Sequence, residues 1–128
     1  MKILIAEDDA TSRFMLQKML ERYGKCDIAV DGLQAVESVS LAMEAGQPYD
    51  LVCLDIWMPE KDGHEVLLEI RDMERQKGAE AARIVMTTAL KDTKNMSSAY
   101  GETCDGYLVK PIELAKLLNL LKEFQLVS

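Results

Sequence analysis

Five short apolar, β-prone runs, spaced so that only a crossover connection fits between them, constrain this chain more than any other feature. They fall at residues 2–6, 26–30, 50–54, 83–87 and 104–109. The stretches between them carry helical spacing. Residues 10–23 place Met15, Leu16, Met19, Leu20 and Tyr23 on one face, with Asp9 as the cap. A second helix is expected over 33–45, with Val36, Val39 and Met43 inward, after an Asp31-Gly32 turn and before Gly46-Gln47-Pro48. A third carries Val66, Leu67, Ile70 and Met73 and stops at Gly78. Residues 92–100 form a poor helix, anchored only by Met96, Ala99 and Tyr100. The last has Leu114, Leu117, Leu118 and Leu121, the i, i+3, i+4, i+7 set of an amphipathic helix. Strands alternating with helices imply a parallel sheet covered on both faces, and the nearly continuous apolar run at 50–54 reads as a strand buried on both sides. Right-handed crossovers leave few topologies. The expected fold is α/β, a flavodoxin-like (βα)5 domain with strand order 2-1-3-4-5.

That order puts the first and third strands side by side at the topological switch point, where open parallel sheets bind ligands at the carboxyl ends of their strands. Four short signals follow strands: Glu7-Asp8, Asp55, Thr88 and Lys110-Pro111. An acid pair, a lone acid, a hydroxyl and an amine are thus expected to converge. Carboxylates about 4 Å apart repel by roughly 4 kcal/mol per pair at an effective dielectric near 20, which calls for a cation. Magnesium, with manganese as the alternative, prefers an all-oxygen set and keeps several waters. Asp8 and Asp55 are expected to bind it directly, with Glu7 holding a coordinated water. Asp55 is the candidate phosphoacceptor, since an aspartate carboxylate can form a covalent phosphoryl intermediate. Lys110 is the candidate phosphate-binding point charge and Thr88 a hydroxyl donor to phosphate. A cis Lys110-Pro111 peptide is expected to aim Lys110 inward.

Bulk properties narrow the alternatives. The 128 residues suit one domain. Fifteen basic against 22 acidic residues give a net charge of −7, a poor match for nucleic acid or an anionic membrane. No run approaches the ~20 apolar residues of a membrane span, and no signal-peptide pattern opens the chain. Cys26, Cys53 and Cys104 lack metal-site or disulfide spacing and fit a reducing, cytoplasmic location. His64, at a helix start, reads as a solvated position rather than a phosphohistidine.

The residues Ile3-Leu4-Ile5-Ala6-Glu7-Asp8-Asp9, Leu54-Asp55-Ile56-Trp57-Met58-Pro59, Asp62-Gly63, Thr88-Ala89 and Tyr107-Leu108-Val109-Lys110-Pro111 resemble the receiver domain of two-component response regulators over essentially the whole chain. The resemblance implies that Asp55 accepts a phosphoryl group from a sensor histidine kinase or phosphotransfer protein. It implies magnesium held by Asp8, Asp55 and the Trp57 main-chain carbonyl, with Glu7 in support, and phosphate contacts from Thr88 and Lys110. It further implies a switch in which Thr88 moves toward the phosphate, Tyr107 turns inward, and the face of the fourth helix, fifth strand and fifth helix changes for a downstream protein target. Such a protein is not a conventional enzyme, though it promotes its own phosphorylation and dephosphorylation, and it is expected as a monomer or a phosphorylation-dependent dimer. A phosphorylation-controlled switch with no output domain in this chain is expected, acting alone by docking, by passing phosphate along a relay, or as a fragment of a larger regulator.

Three positions depart from the common pattern. Glu7 stands where Asp is usual, Trp57 is bulky, and Leu90, two past Thr88, is apolar. Trp57 and Leu90 together are expected to screen the phosphoryl group from water and lengthen its lifetime. Two competing classes use related parts. A haloacid-dehalogenase-type phosphatase wants a second acid two residues after the nucleophile, where this chain has Trp57. A flavin carrier wants a glycine- and hydroxyl-rich loop after the first strand, where Glu7-Asp8-Asp9 would repel the phosphate.

Overall fold

The structure is a computed structural model that describes residues 1–89 and 104–128. Its elements run β1 (Lys2–Ala6), α1 (Ala10–Leu20), β2 (Lys25–Ala29), α2 (Gly32–Glu44), β3 (Leu51–Asp55), α3 (Gly63–Lys77), β4 (Arg83–Ala89), β5 (Gly106–Lys110) and α4 (Leu114–Glu123), with helices numbered among the described residues. The sheet is parallel throughout, in the expected order β2-β1-β3-β4-β5. Four helices lie among the described residues where five were expected. The weak helix at 92–100 falls outside them, and so does Leu90.

Central strands carry the burial. Every residue of β3 is buried, as a strand covered on both faces requires. Alternation then divides the core into two layers. Leu4, Ala6, Val52, Leu54, Ile84 and Met86 point to the side covered by α2 and α3. Ile3, Ile5, Leu51, Cys53, Val85 and Leu108 point to the side of α1 and α4, where Leu16, Leu20, Leu117 and Leu121 meet them.

Three helices start on an aspartate whose side chain accepts a backbone N–H from the first turn: Asp9 from Ser12, Asp31 from Gln34 and Asp62 from Glu65. Such a cap is worth about 1 kcal/mol. Asp31-Gly32 is therefore a helix start rather than the expected turn. Gly78 ends α3 in the left-handed conformation that glycine tolerates, at φ 61°. α4 begins at Glu113 with no side-chain cap hydrogen bond. Two expectations for inward residues are corrected. Leu114 is 43% and Met15 43% exposed, because each sits at the rim of its helix's apolar stripe, beyond the sheet.

The opposite end of the sheet from the strand carboxyl ends is locked by a buried ionic network. Arg71 donates to Glu74 Oε1 at 2.8 Å, to the Ala82 carbonyl at 2.9 Å and to Asp105 Oδ2 at 2.9 Å. Glu74 Oε2 accepts from Ala82 N–H, and Asp105 Oδ2 from Ile84 N–H, both at 2.8 Å. These bonds tie α3 to the starts of β4 and β5.

Candidate functional site

Strand register builds the site. β1 and β3 pair through Ala6↔Leu54, so the next residues along, Glu7 and Asp55, emerge as neighbours. β3 pairs with β4 through Asp55↔Thr87, and β4 with β5 through Thr88↔Val109 and Ala89↔Lys110. The carboxylates of Glu7, Asp8 and Asp55 all lie within 4.8 Å of one another. Glu7 and Asp55 are buried, while Asp8 is exposed and opens the cluster to solvent. Asp55 is the last residue of β3, one further than the strand read from the sequence.

Lys110 reaches in from the end of β5. Its Nζ stands 2.6 Å from Glu7 Oε1 and 3.2 Å from Asp55 Oδ2. The short contact to Glu7 is ionic, since the angles at Oε1 leave that atom without an aligned hydrogen-bond donor. The Lys110-Pro111 peptide is cis, as expected. Asp9 N–H donates to Glu7 Oε2 at 3.1 Å, and Trp57 N–H donates to Asp55 Oδ1 at 3.2 Å.

The electrostatics follow from crowding. Burial first, then the hydrogen bond and negative charge of Glu7, push the Asp55 carboxyl up to about 7, against the pull of Lys110. Burial pushes Glu7 the same way, but its hydrogen bonds with Asp55 and Asp9 N–H and its contact with Lys110 outweigh that and hold it below its ordinary value. Lys110 loses hydration on burial, yet the two carboxylates hold its pKa above the usual value. Without further cations, Glu7 and Asp55 thus share one positive charge, Lys110, and Asp55 is the one pushed toward its protonated form.

That sharing, the unaligned buried Glu7 oxygen and the all-oxygen donor set fit a hard divalent cation. Among the described residues, Glu7, Asp8 and Asp55 are the carboxylates close enough together to hold it.

The side chains of the remaining expected residues have other surroundings. Thr88 is buried inside β4 rather than after it, and its hydroxyl donates to the Ala89 carbonyl at 3.3 Å. Tyr107 is half-buried against the core layer that contains Met86. Trp57 is 60% exposed. Arg13, unremarked in the sequence, donates to the main-chain carbonyls of Glu7 at 3.0 Å and Asp8 at 3.3 Å. The signal was available: a basic residue one helical turn past the Asp9 cap faces back over the β1–α1 turn.

Beside the site, Phe14, Met15, Met19 and Leu114 line a groove of about 300 Å³ between α1 and α4, rimmed by Lys18 and Arg22. A smaller cleft bounded by Ser12, Met15, Lys110, Pro111 and Ile112 adjoins it through Met15.

A doubly wound parallel sheet thus carries three carboxylates and a lysine at its switch point. The chain belongs to the response regulator receiver domain family, whose model matches residues 3–122. It is 32% identical over 125 residues to the osmosensing histidine protein kinase SLN1 of Saccharomyces cerevisiae, covering 96% of this chain and 10% of that kinase. The chain therefore spans only a small part of the first curated relatives it matches. The receiver domain of the response regulator Ssk1, crystallised with the histidine phosphotransfer protein Ypd1 of Saccharomyces cerevisiae, superposes with a TM-score of 0.80 at 26% identity, over 97% of this chain and 88% of that one. The receiver domain of sensor histidine kinase PA1611 from Pseudomonas aeruginosa, solved with magnesium in its active-site cleft, gives 0.77 at 28% identity over 97% of both chains.

Proposed function

We propose that this receiver accepts a phosphoryl group on Asp55 from the phosphohistidine of a histidine kinase or phosphotransfer protein, in a reaction that requires magnesium. The observation that carries the reading is the position of Lys110 Nζ, between Glu7 and Asp55 at the mouth of a three-carboxylate cluster. When bound, the cation neutralises carboxylate and phosphate charge. Asp55 Oδ attacks phosphorus as the P–N bond to the donor imidazole breaks. The imidazole nitrogen keeps the electron pair and takes a proton from water. Trp57 N–H orients the acceptor carboxylate, and Lys110 supplies positive charge where phosphoryl oxygens arrive. The magnesium-loaded cleft of the PA1611 receiver and the phosphotransfer partner of the Ssk1 receiver support the assignment by similarity.

Thr88 then turns from the Ala89 carbonyl toward the phosphate, Tyr107 packs inward, and the face including β5 and α4 presents a changed surface to a downstream protein. Trp57, with Leu90, shields the product from water. The apolar groove beside Lys110, with its basic rim, gives a phosphodonor protein a surface to seat on. Labelling is stoichiometric rather than turnover of an outside substrate. A cytoplasmic location belongs to the same reading, supported by three free cysteines. Among the described residues no helix is long and apolar enough to cross a membrane.

Intact mass after incubation with acetyl phosphate tests the reading. Wild type should gain one phosphoryl unit only with magnesium, and Asp55→Asn none. Equal labelling of both variants would refute Asp55 as the acceptor.

A further inference from the structure

The loop that leaves Asp55 has another neighbour, the first residue of α2. Gly32 is buried, and its N–H donates to the Pro59 carbonyl at 3.3 Å. A Cβ on Gly32 would overlap the Lys61 carbonyl oxygen and stand 2.5 Å from Lys61 Cβ and 2.7 Å from the Lys61 carbonyl carbon. The obstacle is main chain, so it cannot rotate aside as a side-chain tip would.

The loop has little slack to absorb such a push. Lys61 N–H donates to the Pro59 carbonyl at 2.8 Å, and Glu60 sits at φ 71°. Lys61 Nζ bonds Glu69 Oε1 at 2.7 Å, and Gly63 N–H donates to the Ile56 carbonyl at 2.7 Å. At the near end of this loop, Trp57 N–H holds Asp55 Oδ1. Gly32 thus meets the loop at Pro59 and Lys61, and two residues before Pro59 the same loop carries the Trp57 N–H that holds the acceptor carboxylate.

We propose that Gly32 is a positioning residue for phosphoryl acceptance: its missing side chain sets where the 57–61 loop lies, and so aims the Trp57 amide and carbonyl at Asp55. The proposal rests on the receiver reading above. It concerns a residue more than 20 positions from the acceptor that touches neither phosphate nor cation.

Gly32→Ala is the test, with Gly78→Ala as the control. Gly78 lies at the far end of α3, at positive φ with no atom within 4 Å of an added Cβ, so its substitution destabilises by backbone strain alone. Three quantities are read on folded protein: magnesium affinity from the emission of Trp57, the single tryptophan; the acetyl phosphate labelling rate at saturating magnesium; and hydrogen exchange of the Trp57 amide in metal-free protein. Gly32→Ala should slow labelling about ten-fold or more, weaken magnesium binding and speed Trp57 amide exchange. Gly78→Ala should lower Tm while leaving all three as in wild type. Wild-type values for Gly32→Ala would overturn the proposal, as would equal effects from both variants. Should Gly32→Ala not fold, magnesium must slow exchange of the Gly32 amide in wild type, since fixing the loop fixes its Pro59 acceptor; unchanged exchange overturns the proposal. A wild type that neither binds magnesium nor takes up phosphoryl would instead refute the receiver reading, while Trp57 exchange in metal-free Gly32→Ala would still report on the loop.

Discussion

Asp55→Asn should stabilise the metal-free protein, and by an amount that depends on pH. In the folded chain the Asp55 carboxyl titrates near a pKa of about 7, against an ordinary value of 3.8. A carboxyl raised on folding contributes stability that is full below about pH 4 and is lost as pH rises through about 7. The gap between the two values sets a ceiling of about 4 kcal/mol on that loss. Glu7 offsets part of it, because its pKa is held low and its ionised form is favoured on folding. The ceiling applies at about pH 8, where the folded and the unfolded carboxyl are both ionised, and the gain from the substitution lies below it. Asparagine is neutral throughout. Its side-chain oxygen still accepts the Trp57 N–H, its amide can donate to Glu7, and Lys110 keeps Glu7 as its partner. For a chain of this size each kcal/mol of gain is worth roughly 3–5 °C in Tm. The assay is thermal unfolding of both proteins in chelator at about pH 8 and about pH 5.5, where the gain should be smaller. Adding magnesium should raise the Tm of wild type more than that of the variant. Equal or lower stability of Asp55→Asn in chelator at the higher pH would refute the account of a strained carboxylate pair.

Other outcomes follow from the same contacts. Lys110→Met leaves Glu7 and Asp55 without their cation and should slow acetyl phosphate labelling at saturating magnesium by about 100-fold; an unchanged rate would remove Lys110 from the mechanism. Arg71→Met strands buried Glu74 and should cost about 3–5 kcal/mol in urea unfolding, with labelling of the folded protein unaltered. Trp57→Asn and Leu90→Glu should each speed loss of the phosphoryl group; Trp57 is exposed enough that its Tm should barely move, and no acceleration in either variant would count against shielding.

The strand order and the convergence of Glu7, Asp8, Asp55 and Lys110 were readable because they depend on alternation and chain direction, which are local patterns. Strand ends were less so. β3 runs one residue past the expected end and β4 two, because pairing with neighbours, not the residues themselves, decides where a ladder stops. Helical periodicity identified the shared faces correctly but not their edges. Leu114 and Met15 have the same spacing as Leu117 and Leu16, and only the width of the sheet leaves the first pair in solvent. The Arg71–Glu74–Asp105 network was invisible because Asp105 lies 34 residues from Arg71 and reaches it only through the pairing of β5 with β4. Asp31-Gly32 shows a different limit. The dipeptide signals a turn, yet its glycine is kept small by a backbone on another loop.

The caps at the helix starts give the domain a direction. The helices after β1, β2 and β3 are each fastened at their first turn by an aspartate, and the foot of the sheet is stitched by Arg71. The helix after Lys110 has no such fastening and is held chiefly by Leu117 and Leu121 against the sheet. Among the described helices, α4 is thus the one whose first turn can shift without breaking a side-chain cap, and it is the one that follows Lys110. A strain arising at the carboxylates and carried through Lys110 would therefore meet its first uncapped helix at Glu113.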